Sequence, residues 1–127
     1  MAQGQIRILL VDDERQFVDT LAQRLRMRGL AARVVYGGED ALKAVEEPTD
    51  VIVLDLRMAG MDGLEVLATV RNSYPGVKVI ILTGHGADDD EQAAYRLGAH
   101  DFLRKPVGIE DLLQSIHAAH NGGAKTA

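Results

Sequence analysis

The chain has 127 residues, 46% of them hydrophobic and 26% charged, which is the make-up of one globular domain. That length buries about two-thirds of the unfolded surface without a disulfide or metal staple. Fourteen Lys and Arg against nineteen Asp and Glu leave a net charge of −5 and a pI near 5.3, the reverse of the basic surface that nucleic acid demands. Cys is absent, which excludes disulfides, thiol catalysis and Cys-ligated metal centres. No apolar run approaches the roughly 20 residues that cross a bilayer, and no charged-then-apolar leader opens the chain. The expectation is one acidic cytoplasmic domain with neither a membrane nor a nucleic acid as direct partner.

Short β-branched, apolar runs occur at Ile6–Val11, Ala32–Tyr36, Val51–Leu54 and Val77–Leu82, with a weaker one at Asp101–Leu103. Runs apolar on both faces predict strands of a parallel sheet covered on both sides. Helical spacing fills the intervals. Phe17, Leu21 and Leu25 recur every fourth residue and stop at Gly29. Ala41, Leu42 and Val45 mark a shorter helix ended by Pro48. Leu64, Leu67 and Val70 run from Gly63 to the break at Tyr74-Pro75-Gly76. Four acids, Asp88 to Glu91, precede Ala94 and Leu97, placing negative charge where a helix N-terminus favours it. Ile109, Leu112, Leu113 and Ile116 form a last amphipathic face before Asn121-Gly122-Gly123. Five strand–helix pairs in alternation define a doubly wound α/β fold with helices on both faces.

In open α/β sheets ligands bind beyond the carboxyl ends of the strands, near the point where strand order reverses. The first run ends in Asp12-Asp13, the third in Asp55, the fourth in Thr83 and the fifth leads to Lys105, whereas the second ends in Gly37-Gly38. Three carboxylates, a hydroxyl and an ammonium therefore converge on one edge. Packed carboxylates repel, so at least one pKa rises unless a cation intervenes. Hard oxygen ligands on a shallow polar surface suit Mg²⁺ (or Mn²⁺). A carboxylate can also serve as nucleophile in phosphoryl transfer.

The stretches Ile8–Glu14, Val53–Met58, Met61-Asp62-Gly63, Ile81–Gly86 and Gly98–Pro106, in this order and spacing, resemble the receiver domain of bacterial two-component response regulators. The resemblance runs from Ile6 to about His120. It implies a single receiver domain over residues 1–127, with a core of about 6–120 and a tail from 121. It further implies a flavodoxin-like five-stranded parallel sheet of order 2-1-3-4-5. By position, Asp55 matches the phosphoacceptor, which takes a phosphoryl group from a histidine kinase or histidine phosphotransfer protein. Asp13, Asp55 and the backbone carbonyl of Arg57 match the metal ligands, with Asp12 acting through water. Lys105 and Thr83 match the groups that hold phosphoryl oxygens. Thr83 and Phe102 match a switch pair that alters the face of the fourth helix, fifth strand and fifth helix, and so the fit of an output domain, a downstream protein or a second copy of the chain. His85 and the Arg57 side chain stand where relatives vary and phosphate lifetime is tuned.

Plainer readings stand beside these. Asp13 could cap the first helix, answered by Gln16, while Asp12 has no capping task. Asp62 reads as a turn and cap residue. Phe102 alone would be a core aromatic; Lys43, Lys78 and Lys125 read as solvated, and His100, His117 and His120 show no metal spacing. Three positions depart from the family pattern. Ala59 replaces a usual Pro, which predicts a more mobile loop. Gly108 replaces a usual Asp or Ser cap, and Phe102 replaces the commoner Tyr. The competing function is a phosphorylation-independent interaction module on the same fold. An aspartyl phosphatase is disfavoured because Arg57 stands where such enzymes place a general acid. An FMN site is disfavoured because Asp12-Asp13-Glu14 repels phosphate. The chain is expected to be a free-standing receiver or a piece of a longer regulator or hybrid kinase, and the wording of its motifs favours the second.

Overall fold

The computed structural model describes residues 4–122; the proposed tail beyond Gly122, Lys125 included, lies outside them. Ten elements alternate: β1 (Arg7–Val11), α1 (Arg15–Met27), β2 (Ala31–Val35), α2 (Gly38–Ala44), β3 (Val51–Leu54), α3 (Gly63–Ser73), β4 (Lys78–Thr83), α4 (Asp88–Arg96), β5 (Asp101–Arg104) and α5 (Ile109–His120). The five strands form one parallel sheet in the order β2-β1-β3-β4-β5, as the resemblance implies. The strands sit within a residue of the apolar runs.

Because successive side chains on a strand point to opposite faces, each central strand feeds two cores. Leu9, Val11, Ile52, Leu54, Val79 and Ile81 face α2, α3 and α4, where Ala41, Val66, Leu67, Val70 and Ala94 meet them. Ile8, Leu10, Val51, Val53, Ile80 and Leu82 face α1 and α5, against Val18, Ala22, Leu25, Leu112, Ile116 and Ala119. Every residue of β3 is buried, whereas β2, an edge strand, is mostly half-buried.

Two helix faces differ from the expected ones. The core side of α1 is Val18, Ala22 and Leu25, and Phe17 is 36% exposed. The small Ala22 lets the helix approach the sheet, which turns Phe17 toward the strand ends. On α4 only Ala94 is buried, and Leu97 is exposed. Helix α1 stops as expected: Gly29 adopts φ 88° and its N–H donates to the Arg26 carbonyl. Asp62 caps α3 in a capping box with Glu65, while Gly108 begins α5 with no side-chain cap.

Candidate functional site

The ladder hydrogen bonds continue past the strand ends and carry the polar residues with them. Asp55 N–H donates to the Val11 carbonyl at 3.0 Å, and Lys105 N–H to the Thr83 carbonyl at 2.9 Å. Asp12 and Asp55 thus follow β1 and β3, the neighbours between which the strand order reverses. Carboxylate oxygens of Asp12, Asp13 and Asp55 lie within 4.8 Å of one another. Asp12 and Asp55 are buried, 4% and 2% exposed, and Asp13 is exposed.

Lys105 reaches into this group. Its Nζ donates to Asp12 Oδ2 at 2.8 Å and to Glu14 Oε1, and it lies 3.8 Å from Asp55 Oδ2. The ammonium also sits 4.4 Å from the centroid of the Phe17 ring, a cation–π contact. Lys105–Pro106 is a cis peptide. Burial raises the Asp12 pKa above the ordinary carboxylate value, and the charge of Asp55 adds to the rise; hydrogen bonds from Lys105 and the Glu14 N–H oppose it without cancelling it. One carboxylate of the cluster is thereby raised, chiefly by burial and only secondarily by its acidic neighbour. Burial works against the Lys105 ammonium, yet its bonds to Asp12 and Glu14, with the charges of Asp12 and Asp55, leave its pKa above that of a free lysine.

Asp13 does not cap α1. The N-cap is Glu14, without a side-chain cap bond, and Asp13 Oδ2 instead accepts from the Ala59 N–H at 3.0 Å. Asp12, to which no capping task was assigned, accepts the Glu14 N–H on Oδ1 at 2.9 Å. That bond ties the loop at Ala59 to the connection between β1 and α1.

The remaining candidates lie on the neighbouring strands, helices and loops. Thr83 ends β4, is fully buried, and its hydroxyl accepts the His85 N–H at 3.2 Å; His85 itself is exposed. Phe102 is 7% exposed. The Arg57 side chain turns to α4, where it pairs with Asp90 at 3.0 Å. Arg104 binds the Gly86 carbonyl, pairs with Glu91 at 2.7 Å and stacks on Phe102. Asp101, read in the sequence only as a strand residue, joins three elements. Its Oδ1 accepts from the Phe102 N–H and the Tyr95 hydroxyl, and its Oδ2 from the Ser115 hydroxyl. A buried acid opening a short strand, directly before Phe102 and Leu103, was the signal available for it. Glu14 carried no comparable signal, since its contact with Lys105 spans 91 positions.

The arrangement contains a test of metal fit. Asp55 Oδ1 is buried and has no hydrogen-bond partner, and a buried carboxylate oxygen without one is costly. With two more carboxylates within reach, the donor set suits a hard divalent cation.

Residues 8–117 match the family model described as "Response regulator receiver domain". The transcriptional regulatory protein GlrR of Escherichia coli (strain K12) is 37% identical over 120 residues, which cover 94% of this chain and 27% of GlrR. A CheY-like response regulator receiver domain protein from Methanospirillum hungatei superposes with a TM-score of 0.89 at 27% identity, covering 93% of this chain and 95% of that one. A response regulator from Burkholderia pseudomallei, whose structure contains a phosphorylated aspartic acid, a calcium ion and citrate, gives 0.84 at 28% identity, covering 93% of this chain and 71% of that one. The chain belongs to the response regulator receiver domain family. It spans about a quarter of the length of GlrR, and no helix among the described residues is long and apolar enough to cross a membrane.

Proposed function

We propose that this chain is a phosphorylation-controlled switch that accepts a phosphoryl group on Asp55 with the help of Mg²⁺. The observation that carries the reading is the buried, unpartnered Asp55 Oδ1 at the centre of three clustered carboxylates beside a lysine. An Asp55 carboxylate oxygen attacks the phosphorus of a phosphohistidine on a histidine kinase or phosphotransfer protein. The O–P bond forms as the N–P bond breaks, and the imidazole leaves with its electron pair. Asp13, Asp55 and the Arg57 carbonyl would hold the cation, with Asp12 acting through water; when bound, the cation neutralises charge on the transferred group and fixes its geometry.

Lys105 is poised for a phosphoryl oxygen, since a phosphate on Asp55 would bring a strong acceptor to an ammonium now 3.8 Å away. Its partners Asp12 and Glu14 would then share it with the new anion. The Thr83 hydroxyl, already at the strand end, would take another oxygen, and Phe102 would carry that movement to the face of α4, β5 and α5. His85 and Arg57 would set the lifetime of the phosphoryl group. The phosphorylated aspartate and calcium ion of the Burkholderia protein support this chemistry on the same fold. The switch would act on an output domain or a downstream protein.

The test uses acetyl phosphate as the donor. Intact-mass measurement should show one phosphoryl addition that requires Mg²⁺ and disappears in Asp55→Asn. No addition, or addition that survives the substitution, would instead favour a phosphorylation-independent interaction module.

A further inference from the structure

The β3–α3 loop makes one contact that none of these roles uses. The backbone N–H of Ala59 donates to Asp13 Oδ2 at 3.0 Å, across 46 positions of sequence. Asp13 is the exposed member of the acidic cluster. Asp12 is held by Lys105 and the Glu14 N–H, and Asp55 is buried. Asp13 therefore has the most rotamer freedom to lose when it becomes a ligand, and such ordering opposes binding. The Ala59 bond removes part of that freedom in advance. It occupies one oxygen of Asp13 and leaves the other for a cation, since a carboxylate accepts on both. A hydrogen bond to an ionised acceptor is also stronger than one between neutral groups.

We propose that the Ala59 amide is a positioning group for a divalent cation: it aims the Asp13 carboxylate and makes cation affinity depend on the conformation of the β3–α3 loop. The inference rests on the Mg²⁺-dependent reading above. It belongs to this chain's own departure at position 59, because a proline there has no N–H to donate. The bond is kept when the cation binds, with Asp13 Oδ2 remaining on Ala59.

Calorimetric Mg²⁺ titration of the full chain tests this with three variants. Replacing the Ala59 amide by an ester, through lactic acid at that position, exchanges the N–H for an oxygen that cannot donate and keeps the side chain. Ala59→Pro deletes it genetically, and Ala59→Gly keeps it. The ester and the proline variant should bind Mg²⁺ about tenfold more weakly or worse, as loss of a ligand-orienting partner typically does, and the glycine variant should bind as the wild type does. Hydrogen exchange needs no variant: the Ala59 amide should stay protected at saturating Mg²⁺ and exchange faster in Asp13→Ala. Unchanged Mg²⁺ affinity in the ester form, or loss of Ala59 protection on Mg²⁺ binding, would overturn the positioning role alone. A wild type that takes up no Mg²⁺ would overturn the metal reading of the site along with it.

Discussion

Asp12 shows how burial sets chemistry one residue at a time. Its carboxylate is 4% exposed, and its pKa is raised chiefly by that burial. A carboxylate whose pKa is higher folded than unfolded stabilises the fold most when protonated. That contribution is complete below the unfolded pKa and is lost as pH rises through the folded one. Ionised Asp12 is thus a cost to the metal-free chain at neutral pH. Asp12→Asn should raise the thermal midpoint at pH 7 in Mg²⁺-free buffer, because Asn keeps an acceptor for the Glu14 N–H, and the gain should shrink as pH falls toward the ordinary carboxylate range. The raised pKa of Lys105 does not disturb this window, since its contribution is lost only above the ordinary lysine value. A midpoint at pH 7 equal to or below the wild type's would mean that Lys105 already offsets the burial of the charge. A cation bound here would stabilise the ionised form that burial disfavours.

At the scale of elements, the connection between β4, β5 and α4 depends on a missing side chain. A Cβ on Gly86 would lie 2.5 Å from Phe102 Cζ and 3.2 Å from Thr83 Cγ2. The absence of that carbon lets the Phe102 ring lie inward against the end of β4. Gly86→Ala should cost about 1–3 kcal/mol in chemical denaturation, the usual cost of overpacking. In a Phe102→Ala background the same substitution should cost clearly less, because the closest clash is gone and only the Thr83 contact at 3.2 Å remains. Equal costs in both backgrounds would place the strain elsewhere. Asp101 secures the other side of β5, holding Tyr95 of α4 and Ser115 of α5.

Some of these elements were plain in the sequence. The central strands were legible because burial on both faces forces runs such as Val51–Leu54 to be apolar throughout. The face of α1 was less so. Phe17, Leu21 and Leu25 share a stripe in sequence, but close packing on the sheet selects Val18, Ala22 and Leu25, and a small residue gives a weak hydrophobic signal. The Asp13–Ala59 bond was illegible for another reason: a backbone N–H has no residue type to announce it, and only the loop's path brings it to Asp13.

For the whole molecule, the decisive feature is strand order. The chain crosses from β1 to β2 on one side and returns to place β3 on the other, so Asp12 and Asp55 end neighbouring strands at the reversal. The alternation of elements made the fold class and the polar edge readable, because chemistry at the carboxyl ends of strands needs only strand boundaries to locate it. The partners of Lys105 required three dimensions: Asp12 and Glu14 hold it from 93 and 91 positions away. What the molecule presents is an acidic cluster at one edge of its sheet, with Thr83 ending the neighbouring strand β4 and Asp101 holding α4 and α5 to β5.

The most direct measurement locates the covalent change. The chain, exposed to acetyl phosphate and Mg²⁺, is treated with borodeuteride, which reduces an aspartyl phosphate to homoserine, and peptides covering the whole chain are sequenced by mass spectrometry. Deuterated homoserine at position 55, absent when Mg²⁺ is chelated, is the predicted result; label at Asp12 or Asp13, or none anywhere in the chain, would contradict the account.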